Sequence, residues 1–200
     1  MGDRWGYRFL LGWDRWAAGN RSLGANRGDA SSVRPMLGVM GNFGVYVVAR
    51  SAWPLLELPA VQQAGGEPRW SARDGDWQVL LLSSGLDPGP TLMADTDAPV
   101  LTADVVSGHF AMIDAQSPGG GDVWHCALAP RAARSYALDP ELGPPPERVL
   151  PRAVGWAREA GLTPDEAALD TTLRAEGTPD DLLRAFLDAL GFRFVVVDGG

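Results

Sequence analysis

Hydrophobic and polar positions follow a readable rhythm from residue 43 onward, and that rhythm predicts most of the elements. Phe43-Gly-Val-Tyr-Val-Val-Ala-Arg50 is β-branched and aromatic and lies between glycine and serine, the pattern of a strand over 43–50. Residues 54–64 suit a short helix that Pro59 limits or kinks. The glycine, proline and aspartate of 65–75 read as a loop. Residues 77–83 form an apolar run without alternation, as expected of a strand covered on both faces. A turn over 86–90 leads to a short helix near 91–95. Three further strands follow at 100–106, 110–115 and 123–128. Ser107-Gly108 and Ser117-Pro118-Gly119-Gly120-Gly121 mark the turns between them, so the three predict an antiparallel meander.

The pattern then changes period. Thr163-Pro164-Asp165-Glu166 offers Thr163 as N-cap, Pro164 as the first helical residue and Glu166 as the reciprocal partner of a capping box. Gly177-Thr178-Pro179-Asp180-Asp181 repeats the arrangement. Helices are therefore predicted at 151–160, 164–176 and 179–190, the last closed by Gly191. Leu182, Leu183, Phe186, Leu187 and Leu190 give that helix its apolar face. Gly143-Pro144-Pro145-Pro146 reads as a stiff spacer, and 192–197 as a final strand or apolar tail. These elements predict an α/β or α+β fold: a single domain with a mixed sheet containing an antiparallel meander, followed by a C-terminal group of three short helices.

Charge divides the chain. Residues 1–39 carry six arginines against three aspartates, whereas 40–200 carry eleven arginines against 22 acids. Residues 1–39 are read as a flexible basic Trp/Arg/Gly-rich extension, and 40–200 as the acidic globular domain. Trp5, Phe9, Trp13 and Trp16 share one helical face beside Arg4, Arg8 and Arg15, the outline of an amphipathic segment. Gly6 and Gly12 oppose that helix at ~1 kcal/mol each relative to alanine. The alternative is a leader translated from an upstream start, with the functional chain beginning at Met36 or Met40.

Composition excludes whole classes of chemistry. There is no lysine, so there is no Schiff-base nucleophile and no phosphate-loop lysine. One cysteine, Cys126, makes neither an intramolecular disulfide nor a Cys₄ metal site. Two histidines, His109 and His125, are too few for a His₃ zinc site. A net charge of −8 is repelled by phosphate backbones, and the seven acids against two arginines over 161–190 oppose a DNA-reading helix pair. No apolar run reaches the ~18–20 residues of a membrane span. The chain reads as cytoplasmic, with no cofactor.

What chemistry remains rests on a few residues. Cys126 with His109 or His125 is the one available thiol–imidazole set; a turn centred near Pro118 and Gly119 pairs Ala111 with Cys126 and leaves His109 two residues along on the same side. The apolar neighbours Trp124 and Leu128 make Cys126 a structural cysteine in the simpler reading. Asp95-Thr96-Asp97 has the alternating carboxylates of a divalent-cation site, to which Asp104, Asp114 and Asp122 are possible additions; acidic turn residues explain the same letters. Gly38, Gly41 and Gly44 have the wrong spacing and the wrong following element for a dinucleotide fingerprint.

The segment His109-Phe110-Ala111-Met112-Ile113-Asp114-Ala115-Gln116-Ser117-Pro118, with Asp122-Val123-Trp124-His125-Cys126-Ala127-Leu128, resembles stretches of small uncharacterised actinobacterial proteins. The resemblance implies no activity and transfers no site residue. The expected function is a non-enzymatic acidic protein-interaction module, in its narrower form an immunity-like or regulatory partner of a basic protein. Asp165, Asp170, Asp180 and Asp188 are its expected docking charges. The alternatives are a small hydrolase-like enzyme using His109 or His125 with a carboxylate, or Cys126 as nucleophile, and a small-molecule-binding domain with Trp77 and Trp124 in its pocket. The partner is expected to be a protein, not nucleic acid or membrane, and the oligomeric state is left open.

Overall fold

The computed structural model describes residues 44–83, 88–118, 123–136 and 143–196. The expected basic extension at 1–39, its amphipathic alternative and Asp122 lie outside the described residues. In chain order the elements are β1 (Gly44–Arg50), a 3₁₀ turn (Leu55–Glu57), α1 (Pro59–Ala64), β2 (Pro68–Asp74), β3 (Trp77–Leu82), α2 (Gly89–Thr96) and β4 (Val100–Val106). They continue with β5 (Phe110–Gln116), β6 (Trp124–Leu128), α3 (Pro130–Tyr136), α4 (Pro146–Glu159), α5 (Glu166–Arg174), α6 (Pro179–Leu190) and β7 (Val195–Val196).

The strands form one sheet in the order β6-β5-β4-β1-β3-β2-β7. Every described pairing is antiparallel, so the fold is α+β, and the parallel pairs of a mixed sheet are absent among the described strands. The β4–β5–β6 meander is present as expected. Strand alternation gives the sheet two apolar faces. Val48, Val79, Leu101, Ile113 and Cys126 lie on one, packed with Val149, Ala153, Leu169, Leu183 and Phe186 of α4, α5 and α6. Val45, Val47, Leu80, Leu82 and Val100 lie on the other, under Leu55, Val61 and Leu92. The central strands are thus covered twice, which is why 77–82 shows no polar alternation. Each fully buried Leu, Val or Phe contributes ~1.5–3 kcal/mol of burial free energy.

The ends of the helices follow local chemistry. Pro59 begins α1 where its missing N–H costs nothing, so the predicted kink is a boundary between the 3₁₀ turn and the helix. Thr178 caps α6, with Pro179 at the first position and Gly191 at the left-handed C-terminus, as the sequence predicts. For α5 the expectation fails. The cap is Asp165, whose carboxylate accepts the Ala168 N–H at 3.0 Å. The Asp165 N–H is bonded to the Ala189 carbonyl at 2.8 Å, and this tie to α6 holds Thr163 and Pro164 out of the helix.

Three other expectations change. Residues 68–74, predicted as loop, are β2: Pro68 takes the first strand position, and only Ala72 of the strand is buried. The Gly75-Asp76 turn, with Gly75 at φ 60°, closes its hairpin with β3. Residues 130–136 form α3, which was not expected, and α4 begins at Pro146 instead of 151, with Pro151 inside it. The polyproline spacer is therefore partly the first turn of a helix. It also runs against the outer strand β6: a Cβ on Gly143 (φ +97°) would lie 3.3 Å from His125 Cδ2 and 3.4 Å from Cys126 Cα. At the opposite end of the sheet, β7 pairs only with Ala72 and Arg73 of β2.

Candidate functional site

The meander that was expected to join thiol and imidazole separates them. Observed pairs are Ile113 with Cys126 and Ala111 with Leu128, because the β5–β6 connection is centred one residue later than Pro118–Gly119. That shifts the pairing by two residues and preserves which face each side chain takes, while β5 itself begins at Phe110 and leaves His109 outside the strand. His109 closes the β4–β5 turn instead, its N–H donating to the Val106 carbonyl at 3.0 Å across Ser107 (φ 52°) and Gly108 (φ 68°).

His125 precedes Cys126, yet alternation sends them to opposite faces of β6. Cys126 is buried against α4–α6. Burial, and then the Asp114 charge, push its thiol well above the ordinary cysteine range, so the nucleophilic thiolate is disfavoured. His125 lies on the other face, directly across from Asp114, which in turn faces Thr102 on β4. This row places a carboxylate between hydroxyl and imidazole; a hydrolase relay needs the imidazole between the other two. Burial, reinforced by the Arg152 charge, holds the His125 imidazole below its usual value. The row was not foreseen; its sequence signal is Asp114 and His125 as polar residues flanked by apolar ones within two strands.

The other carboxylates have local duties. Asp95 Oδ2 accepts the Ala60 N–H at 3.3 Å, satisfying the N-terminus of α1, and Asp97 ends α2 in the left-handed region at φ 48°. Among the described residues no three His, Cys, Asp or Glu side chains converge on a cation position. Trp77 and Trp124, expected to line a pocket, are core residues. Trp77 packs against Phe192 at 5.2 Å and Trp156 at 6.1 Å, and Trp124 against Phe186 at 6.4 Å.

Of the four expected docking charges, Asp165 and Asp188 are exposed while Asp170 and Asp180 are half-buried. Asp170 pairs with Arg174 at 2.9 Å, and Asp180 accepts the Tyr46 hydroxyl at 2.7 Å. Burial and that bond raise the Tyr46 phenol above its ordinary value. Glu176 and Asp181 are exposed on the same pair of helices and were not singled out. Among the described residues no guanidinium forms an ion pair with the carboxylates of Asp165, Glu176, Asp181 or Asp188, although Glu176 accepts the Arg131 N–H at 2.9 Å and the Arg193 guanidinium donates to the Asp188 carbonyl at 2.8 Å.

Among the described residues, two surface clefts bear on the small-molecule reading. One, of about 250 Å³, lies between α3 and the polyproline segment, with Cys126, Arg134, Pro144 and Leu173 among its walls. The other, of about 170 Å³, lies between the 3₁₀ turn and β2. Both fall short of the roughly 300–1,000 Å³ of small-molecule sites. No helix of the described residues is long and apolar enough to cross a membrane. Compared with protein families, curated proteins and solved structures, the chain matches none.

Proposed function

We propose that this chain is a protein-interaction module that uses the acidic α5–α6 surface to dock a basic partner, without catalysing a reaction. The observation that carries the reading is the set Asp165, Glu176, Asp181 and Asp188. All four are exposed, and among the described residues none of their carboxylates is in an ion pair with a guanidinium. Asp165 and Asp181 are also fixed by capping bonds, to the Ala168 N–H and from the Thr178 hydroxyl, so their charge is held in place. Such charges raise the rate of encounter with a basic surface and disfavour acidic competitors.

The separation of His109 from Cys126 and the raised thiol weigh against the enzyme alternative. Neither of those two clefts is large enough to favour the small-molecule alternative. The test is retention on an array of arginine- and lysine-rich peptides at 0.1 M salt, where the Debye length is ~10 Å, and release at 1 M, where it is ~3 Å. Asp165→Asn, Glu176→Gln, Asp181→Asn and Asp188→Asn together should slow association more than they speed dissociation. Asparagine still caps α5, so the fold is kept. Equal retention at both salt concentrations, or retention of duplex DNA in place of basic peptides, overturns the reading.

A further inference from the structure

Gln78 is the one polar side chain of β3, and it is only 6% exposed. Its Nε2 donates to the carbonyls of Ser51 (2.9 Å) and Trp53 (2.7 Å). Its Oε1 accepts from the Leu55 N–H and from Arg73 Nη2, both at 3.2 Å. Both amide donors and both carbonyl lone pairs are thus used. The segment it grips is further tied by the Trp53 N–H, which donates to Ser51 Oγ at 3.1 Å. This rigid segment displays Trp53 at 68% exposure and Leu56 at 42%. Single exposed apolar residues are ordinary on a protein surface. A loop anchored by a buried amide has the ordering cost of its backbone already met, which favours an exposed tryptophan on it as a binding anchor.

Beside the anchor lies the groove of about 170 Å³ walled by Pro54, Leu55, Leu56, Ser71, Arg73 and Leu80. Its volume suits one apolar side chain. Its charge comes from Arg73, which Gln78 orients and which no carboxylate among the described residues pairs with. We propose that this groove is a second docking site, separate from the acidic helices, for a peptide segment of another protein in which an apolar residue is flanked by a carboxylate. The apolar side chain fills the groove against Leu56, Trp53 covers it, and the carboxylate meets the Arg73 guanidinium in a charge-assisted pair.

The test is selection of a displayed random-peptide library on the full chain, followed by calorimetry with synthetic peptides of the enriched sequences. Enriched peptides should carry Phe, Leu or Trp next to Asp or Glu, and replacing those acids by lysine should abolish binding. Trp53→Ala and Leu56→Asp, both at exposed positions, should leave the melting curve unchanged and weaken binding about thirtyfold each. Asp188→Asn, on the acidic helix, should leave it unaltered, which separates this site from the α5–α6 surface. No enrichment, enrichment of basic peptides, or affinity that survives both groove substitutions would overturn the proposal.

Discussion

At His125 the consequence of burial is a proton that the folded chain resists. Its surroundings and the Arg152 charge lower its native pKa, while in the unfolded chain it titrates at the ordinary value of about 6.5. As pH falls through that value the unfolded state takes up the proton first. The contribution to stability is therefore whole above about 6.5, and is lost progressively as pH falls towards the native pKa. Urea unfolding between about pH 7.5 and 5.5 should show stability declining with acid, and His125→Gln should flatten the decline. Identical slopes for the two proteins would show that some other group drives it. Two buried indoles differ in a similar way. Trp156 Nε1 donates to the Gln116 carbonyl at 3.0 Å, whereas Trp124 Nε1 is buried with no hydrogen-bond partner among the described residues.

At the scale of elements, two glycines predict opposite outcomes for the same substitution. Gly191 ends α6 at φ 108°, and a Cβ there would lie 2.8 Å from the Thr163 carbonyl oxygen. Gly191→Ala should cost about 2–3 kcal/mol through backbone strain and that clash, lowering the melting temperature by roughly 5–10 °C. Gly155 lies within α4 with nothing near its missing Cβ. Gly155→Ala should instead stabilise, by about 0.4–1 kcal/mol. Thermal melts of the two variants decide both. The sequence showed Gly191 as a helix end because Thr178-Pro179 and an apolar 3.6-residue period precede it. It showed β1, β3, β4, β5 and β6 because their side chains are largely apolar. It did not show β2, whose Arg69, Ser71 and Arg73 face solvent and whose pairing is a matter of backbone bonds. The α5 cap was misplaced for a comparable reason: the bond from Asp165 to Ala189 joins residues 24 apart, and a local motif carries no record of it. The candidate site was legible only as charge. Gln78 was visible as a polar letter in an apolar strand, but its four bonds join segments that only folding brings together.

For the molecule as a whole, the acids and arginines are unevenly spent. Arg158 with Glu166, and Arg174 with Asp170 and Glu147, link the C-terminal helices, and exposed pairs of this kind add only ~0–1 kcal/mol each. The stability of the chain comes from the two apolar layers on its sheet and not from these exposed pairs. The same sheet has unlike ends. At β6, the Gly143–Pro146 segment lies against His125 and Cys126. Its three prolines have no N–H to offer an incoming strand. At β2, the side turned away from β3 is paired by β7 only at Ala72 and Arg73, and residues 68–71 have no strand partner on that side among the described residues. Strand-by-strand recruitment of further copies is thus one-sided: two molecules meeting through their β2 margins would turn only proline-guarded flanks outward. Among the described residues the sheet offers no second valence for polymerisation, and self-association by this route terminates at the pair. Sedimentation over a wide concentration range should accordingly reach no species larger than a dimer, and a ladder of higher oligomers would show that the proline flank is not a barrier.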